Sequence, residues 1–156
     1  MPPLNPRDVG LVVLLLVAVW TDLRTQKIYN VLTFPMTILG ILTAILWAPH
    51  GWEGLAGAGV ALLLALPLEA FKAFRMGDVK LLMAAGALCG PSIAARAVLL
   101  SVAINLVYGL VILAAKGRLT RLWRFWRNKE AMEPTVVAYG PAIAIAVLIA
   151  RLQPWP

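Results

Sequence analysis

Two aspartates stand out in this chain because each lies where an apolar segment meets a basic loop. Asp22 follows the first apolar run and Asp78 precedes the fourth, in a chain whose 156 residues include only 7 acidic ones. A carboxylate at the edge of a membrane is costly and often marks a functional site. Two carboxylates held close together share a proton, so that one can act as a base on water and the other as an acid toward a carbonyl. Such a pair is suited to peptide hydrolysis without a nucleophilic side chain.

The two aspartates differ in their local sequence. Asp78 follows Gly77 and precedes an apolar run, which predicts an N-cap, where the helix dipole favours a negative charge. Asp22 is expected near the C-terminal end of a helix, where the dipole disfavours that charge, although the neighbouring Arg24 opposes this effect. The difference predicts that Asp78 is the more readily ionised member of a pair that titrates as a unit.

The segments that must position these aspartates are strongly apolar. Hydrophobic residues make up 62% of the chain and charged residues 13%, and the mean hydropathy is +0.86, which is typical of a polytopic membrane protein. The single cysteine, Cys89, excludes an intrachain disulfide framework, a CxxC redox pair and a cysteine-rich zinc site. The net charge of +7 is spread over separate short loops, so anionic lipid headgroups are the expected partner and nucleic acid is not.

Six apolar segments are candidate membrane spans. They are Val9–Thr21, Val31–Ala48, Gly54–Phe71, Leu81–Ala95, Ala97–Ala115 and Thr135–Ala150. If the spans alternate and the N-terminus is outside, all of the 14 basic residues except Arg7, Arg96 and Arg151 face the cytoplasm, as the positive-inside rule requires. The sequence therefore predicts an all-α, polytopic bundle of about six transmembrane helices, forming one integral-membrane domain over residues 1–156. Both aspartates are expected at its cytoplasmic face.

The loop Lys116–Glu130 before the last span is basic and amphipathic. On a helical wheel its leucines and tryptophans fall within an arc of roughly 100°, and its arginines occupy the other side. This pattern predicts an interfacial helix with its tryptophans at headgroup depth. The helix could anchor the chain to lipid or dock the acidic residues of a partner.

The residues around the first aspartate carry a family resemblance. An Asp followed by Arg and then by Ile-Pro-Asn is the first signature of the type IV prepilin peptidases, a family of membrane aspartyl proteases. Here it corresponds to Asp22, Arg24, Ile28 and Asn30. The chain resembles this family, and within it the short forms found in Flp/Tad pilus systems.

The second signature surrounds the other aspartate. The family pattern Gly-x-Gly-Asp followed by Val-Lys-Leu matches Gly77–Leu81, and a C-terminal Tyr-Gly-x-Ala-Ile-Ala pattern matches Tyr139–Ala144. Two positions depart from the signatures, because Arg75 replaces the first glycine and Tyr29 replaces the proline. Arg75 lacks the backbone freedom of glycine and is expected to alter the loop before Asp78.

The resemblance implies an aspartic-type endopeptidase, multi-pass in the bacterial inner membrane, with its active site facing the cytoplasm. Its substrate would be a prepilin-like protein whose short basic leader is cut just before an apolar helix. No metal or organic cofactor is implied, and methyl transfer is not expected, because the cysteine-paired cytosolic domain of long family members has no counterpart here. The catalytic residues would be Asp22 and Asp78, and residues that bind substrate or support the loops would be Arg24, Asn30, Gly77 and Lys80.

Two other functions are compatible with these residues. The chain could be a non-catalytic assembly subunit of a pilus or secretion system. It could also be a small transporter that uses the aspartates for ion or proton coupling, which predicts pseudo-symmetric halves with charges at the midplane of the membrane. The expected position of both carboxylates at one face disfavours the transporter.

Overall fold

The computed structural model describes residues 5–70, 74–115 and 139–152. Within these residues it contains six helices and no strand, which confirms the all-α prediction. The helices are α1 (Pro6–Thr25), α2 (Asn30–Trp47), α3 (Glu53–Ala70), α4 (Met76–Cys89), α5 (Pro91–Ala115) and α6 (Gly140–Leu152). The predicted interfacial helix over Lys116–Glu130 lies outside the described residues.

Three of these helices are long and apolar enough to cross a membrane: α2, α3 and the Pro91–Val111 part of α5. Helix α6 is apolar but shorter, with 13 residues, and α4 has 14. Large apolar side chains such as Val31, Leu46 and Leu63 are exposed on the outside of the bundle, where a membrane would cover them. The fold is thus a helical membrane bundle.

Helix α4 lies at the centre of this bundle. It packs against α1, α2, α3, α5 and α6, and nine of its 14 residues are buried. Its apolar residues are distributed around the whole helix, as expected for a helix covered on all sides. The first turn of α4, which carries Asp78, is therefore fixed by neighbours in several directions.

Glycines let the central helices approach closely. Gly57 on α3 and Gly86 on α4 face each other, and a Cβ atom on either would overlap the backbone carbonyl of the other. A Cβ atom on Gly40 of α2 would lie 2.8 Å from the backbone of Ala87 on α4. Such small-residue contacts are characteristic of helix packing in membranes, where close backbone approach replaces the hydrophobic driving force.

The turn between the fourth and fifth helices falls at Gly90-Pro91-Ser92, the natural break in the sequence between these two spans, although the fourth apolar segment extends beyond it. The sequence interpretation ended the fourth span near Ala95, whereas α4 ends at Cys89 and α5 begins at Pro91. Gly90 between them has φ 89°, a backbone conformation that glycine adopts easily, and the proline occupies the first position of the next helix. Apolar composition continues through this turn, so hydropathy alone cannot locate it.

The helices alternate in direction, so their ends gather in two groups. At one end of the bundle, ion pairs connect the starts of α1 and α3 and the end of α6: Arg7 with Glu53 at 3.6 Å, and Arg151 with Asp8 at 2.7 Å. At the opposite end, the last turn of α1 meets the first turns of α2, α4 and α6. We call this second group of helix ends the aspartate end, because it contains both aspartates.

Candidate active site

Asp22 lies in the last turn of α1 with its side chain 2% exposed. The helix continues to Thr25 and ends at Gln26, whose left-handed conformation (φ 52°, ψ 30°) is a common way to terminate a helix. The N–H of Gln26 donates to the carbonyl oxygen of Asp22 at 2.9 Å. This confirms the expected place of Asp22 near a helix C-terminus and fixes its backbone.

The carboxylate of Asp22 is held by a residue that is distant in sequence. The backbone N–H of Gly140, the first residue of α6, donates to Asp22 Oδ2 at 2.7 Å in a buried contact. Free N–H groups and the positive end of the helix dipole make a helix start a favourable place for an anion. A Cβ atom on Gly140 would lie 2.8 Å from the same oxygen, so the contact requires glycine for space.

Asp78 lies in the first turn of α4 and is also 2% exposed. Its Oδ2 accepts the backbone N–H of Arg75 at 3.0 Å. The prediction that Asp78 is the N-cap was wrong: Arg75 is the N-cap, and Asp78 is the third residue of the helix. The helix begins earlier because Met76 and Gly77 are helical, which places the carboxylate where it can cap the chain behind it.

This correction removes the basis for the predicted order of ionisation. That prediction assumed that only Asp78 benefits from a helix N-terminus. In the structure each carboxylate accepts a backbone N–H at a helix start, Asp78 at α4 and Asp22 at α6. A helix N-terminus therefore lies beside each of the two carboxyl groups and does not distinguish them.

Both aspartates line one open cavity at the aspartate end. Its volume is about 540 Å³, within the range of roughly 300 to 1,000 Å³ typical of ligand sites. The two carboxyl groups are near enough to influence each other electrostatically. The remaining lining comes from the turn between α1 and α2 and from the start of α4: Gln26, Lys27, Ile28, Tyr29, Asn30, Arg75 and Gly77.

Residues of the two sequence signatures contact each other beside this cavity. Lys80 Nζ donates to Asn30 Oδ1 at 2.9 Å and lies 5.7 Å from the centre of the Phe34 ring. A Cβ atom on Gly77 would lie 3.2 Å from Cβ of Ile28, so this glycine allows the turn to pack closely against α4. These contacts join the segments that carry Asp22 and Asp78.

Arg24, like Lys80, is not among the residues that line the cavity. Its guanidinium lies 4.7 Å from the centre of the Trp20 ring, on the exposed face of α1. Trp20 is 60% exposed, so the pair lies on the outside of the bundle. An aromatic ring and a cation stacked in this way are suited to the interface between membrane and water.

The departures from the signatures leave the local backbone unstrained. Arg75 has φ −94° and ψ 155°, and Tyr29 has φ −81° and ψ 137°, both in the extended region open to any residue. In this chain position 75 does not use the backbone freedom that glycine would give. Its guanidinium Nη1 also donates to the carbonyl oxygen of Gln26 at 3.0 Å.

The predicted site residues did not include Gly140 or Arg75, whose backbone N–H groups hold the two carboxylates. The available signal for Gly140 was the C-terminal pattern over Tyr139–Ala144, which had no assigned role in the site. Among the described residues, no group of three or more histidine, cysteine or acidic side chains could hold a metal ion.

An apolar helical bundle with two buried carboxyl groups facing one cavity defines a membrane protein with a paired-aspartate site. The sequence model of the type IV leader peptidase family matches residues 9–110, more than half of the 156-residue chain, so the protein belongs to that family. It is a peptidase of the prepilin-leader type in general terms. No curated protein and no solved structure gives a significant match.

Proposed function

We propose that this chain is an aspartic-type endopeptidase that removes the basic leader of Flp-like prepilins at the cytoplasmic face of the bacterial inner membrane. The observation that carries the proposal is the meeting of Asp22 and Asp78 at one cavity, although 56 positions separate them in sequence. Both are buried, and each is fixed by a backbone hydrogen bond. Preorganised carboxyl groups of this kind supply acid and base catalysis.

The proposed mechanism uses the two carboxyl groups as a unit with one shared proton. The ionised carboxyl takes a proton from a water molecule, and the protonated one donates its proton to the scissile carbonyl oxygen. The resulting tetrahedral intermediate then collapses, and the leaving amine takes up the proton gained from water. One hydroxyl group of the intermediate returns its proton to the other carboxyl group, so the carboxylic acid product is released and the shared proton of the pair is restored. Each anchoring bond uses only Oδ2, so the second oxygen of each carboxyl group is available for this exchange.

The position of the cavity agrees with a substrate cut at the edge of a membrane. The aspartate end lies where α2 begins, and α2 is one of the helices able to cross a membrane. A prepilin has a positively charged leader that stays on the cytoplasmic side, followed directly by an apolar helix. Its scissile bond would then lie at the depth of Asp22 and Asp78, and a glycine before that bond would ease local unwinding.

The test is cleavage of a purified Flp-type prepilin by the membrane-reconstituted protein, followed by mass spectrometry of the product. We expect Asp22→Asn and Asp78→Asn each to reduce the rate at least about 100-fold, because general acid–base catalysis contributes roughly that factor or more. Asparagine keeps the size and one acceptor oxygen, so the bonds to the Gly140 and Arg75 amides can persist.

The matched control is Asp8→Asn at the opposite end of the bundle, where Asp8 pairs with Arg151. This variant is expected to cleave at the wild-type rate. If the protein with both Asp22 and Asp78 replaced processes prepilin as well as the wild type does, the aspartates are not catalytic. A non-catalytic assembly subunit would then be the better interpretation.

A further inference from the structure

Arg75 touches the segments of both aspartates, although the family signature has glycine at this position. Its guanidinium donates to the carbonyl oxygen of Gln26 at 3.0 Å, and its backbone N–H donates to Asp78 Oδ2 at 3.0 Å. The N–H of Gln26 in turn donates to the carbonyl oxygen of Asp22 at 2.9 Å. Three hydrogen bonds thus connect the backbone of Asp22 to the carboxylate of Asp78.

The middle bond joins the guanidinium of Arg75 to the carbonyl oxygen of Gln26, at a helix end that favours a positive charge. The last carbonyl groups of a helix lack partners within the helix, and the dipole makes this end negative. A guanidinium therefore forms a charge-assisted hydrogen bond with the Gln26 carbonyl at the end of α1. Gln26 also has a left-handed conformation, which is unfavourable for a residue other than glycine, so an external bond to its carbonyl helps to hold the turn.

Glycine cannot make this contact because it has no side chain. In a chain with the signature glycine, the end of α1 and the start of α4 would be joined at this point only through other residues. In this chain the side chain of Arg75 joins them by donating to Gln26, which lies 49 positions earlier in the sequence. Arg75 lines the same cavity as both aspartates, so the contact forms one of its walls.

We propose that Arg75 is a positioning residue that sets the separation and orientation of Asp22 and Asp78. The proposal rests on the proposed function, since it concerns the geometry of the same pair. Arg75 acts through Gln26 and through its own backbone, and it takes no part in proton transfer. Removing its side chain should therefore slow catalysis while substrate still binds.

The test variant is Arg75→Ser. Serine is a favourable N-cap residue, and its oxygen can accept the N–H of the third helical residue, so the start of α4 is preserved. The substitution removes the bond to Gln26 and the positive charge near Asp78. We expect kcat to fall roughly tenfold with KM changed less than twofold, since small misplacement of catalytic groups has large effects on rate.

Two further variants complete the kinetic test. Arg75→Lys keeps a charged donor of similar reach and is expected to retain more activity than Arg75→Ser. The matched control is Arg151→Ser, which removes an arginine paired with Asp8 at the opposite end, and its kcat should match the wild type. A normal kcat for Arg75→Ser overturns the proposal. A raised KM with normal kcat also overturns it, because Arg75 would then contact the substrate.

A distance measurement separates this proposal from the proposed function, because it needs no substrate. Leu23 and Met76 are 63% and 47% exposed and lie beside the two joined segments. In a Cys89→Ala background, spin labels at these two positions should give a narrow distance distribution by pulsed electron paramagnetic resonance. Arg75→Ser should broaden it, and an unchanged width overturns the proposal. If wild type cleaves no prepilin but the width responds as expected, only the proposed function fails.

Discussion

Gly140→Ala tests how strongly the start of α6 controls Asp22. Gly140 does not need unusual backbone angles, since Gly90 is the described glycine with positive φ. It is needed for space, because an added Cβ atom would lie 2.8 Å from Asp22 Oδ2 and 2.9 Å from its Cβ. The substitution adds one methyl group and changes no charge, so its effect reports the fit between α6 and the carboxylate.

The size of the effect follows from these distances. Ordinary van der Waals contact begins near 3.4 Å. Asp22 Oδ2 would lie 2.8 Å from the added Cβ atom, so this oxygen must move away by about 0.6 Å. If it moves directly away from the amide, the hydrogen bond of 2.7 Å lengthens to about 3.3 Å, outside the range of a strong charge-assisted bond. Such a bond contributes about 1.5–3 kcal/mol, which corresponds to a loss of roughly 10- to 150-fold in kcat/KM.

The assay is prepilin cleavage measured together with thermal unfolding in detergent. Alanine favours a helix over glycine by up to about 1 kcal/mol, so helix propensity alone would make Gly140→Ala neutral or stabilising. The matched control is Gly59→Ala in α3, where an added Cβ atom meets nothing within 4 Å. We expect Gly59→Ala to cleave normally. If Gly140→Ala cleaves as fast as this control, α6 does not position Asp22 and our account of the site is wrong.

Two further predictions concern the hydrogen bond between Lys80 and Asn30 and the packing of α3 against α4. Lys80→Met and Asn30→Ala should each lower kcat/KM by roughly two- to tenfold, because each removes the same hydrogen bond. The double variant should therefore lose no more activity than either single variant. Additive losses in a double-mutant cycle would contradict the pairing. Gly86→Val should lower the midpoint of thermal unfolding in detergent, because its side chain would overlap the carbonyl of Gly57, whereas Gly109→Val, which meets open space, should change it little.

Much of the fold could be predicted because hydropathy determines where apolar helices form. Each described helix overlaps a predicted span, although the fourth span runs past the end of α4 into α5. The alternation of the helices brings Asp22 and Asp78 to the same end. Helix ends were predicted less well because capping depends on backbone geometry that composition does not specify. Asp78 was predicted to be the N-cap for this reason, whereas it is the third residue of α4. The helix begins at Met76, five residues before the apolar run at Leu81.

The contacts that hold the site could not be predicted from local sequence. The bond from Gly140 to Asp22 joins residues 118 positions apart, and the bond from Arg75 to Gln26 joins residues 49 positions apart. Each depends on how helices pack, and spacing within a single segment does not encode that packing. The glycine at 140 was visible in the sequence, but its partner was not.

The way the two carboxylates are held explains why one signature position can change and another cannot. Both anchoring donors are backbone N–H groups, and every residue except proline supplies one. Position 75 has extended backbone angles and room for a side chain, so arginine keeps the bond to Asp78 and adds a second contact with Gln26. Position 140 offers the same kind of donor but no room, since Asp22 fills the space of a Cβ atom. The space beside the backbone N–H therefore decides whether each of these positions accepts a side chain. Where that space is open, a signature glycine can be replaced and the aspartate pair stays intact.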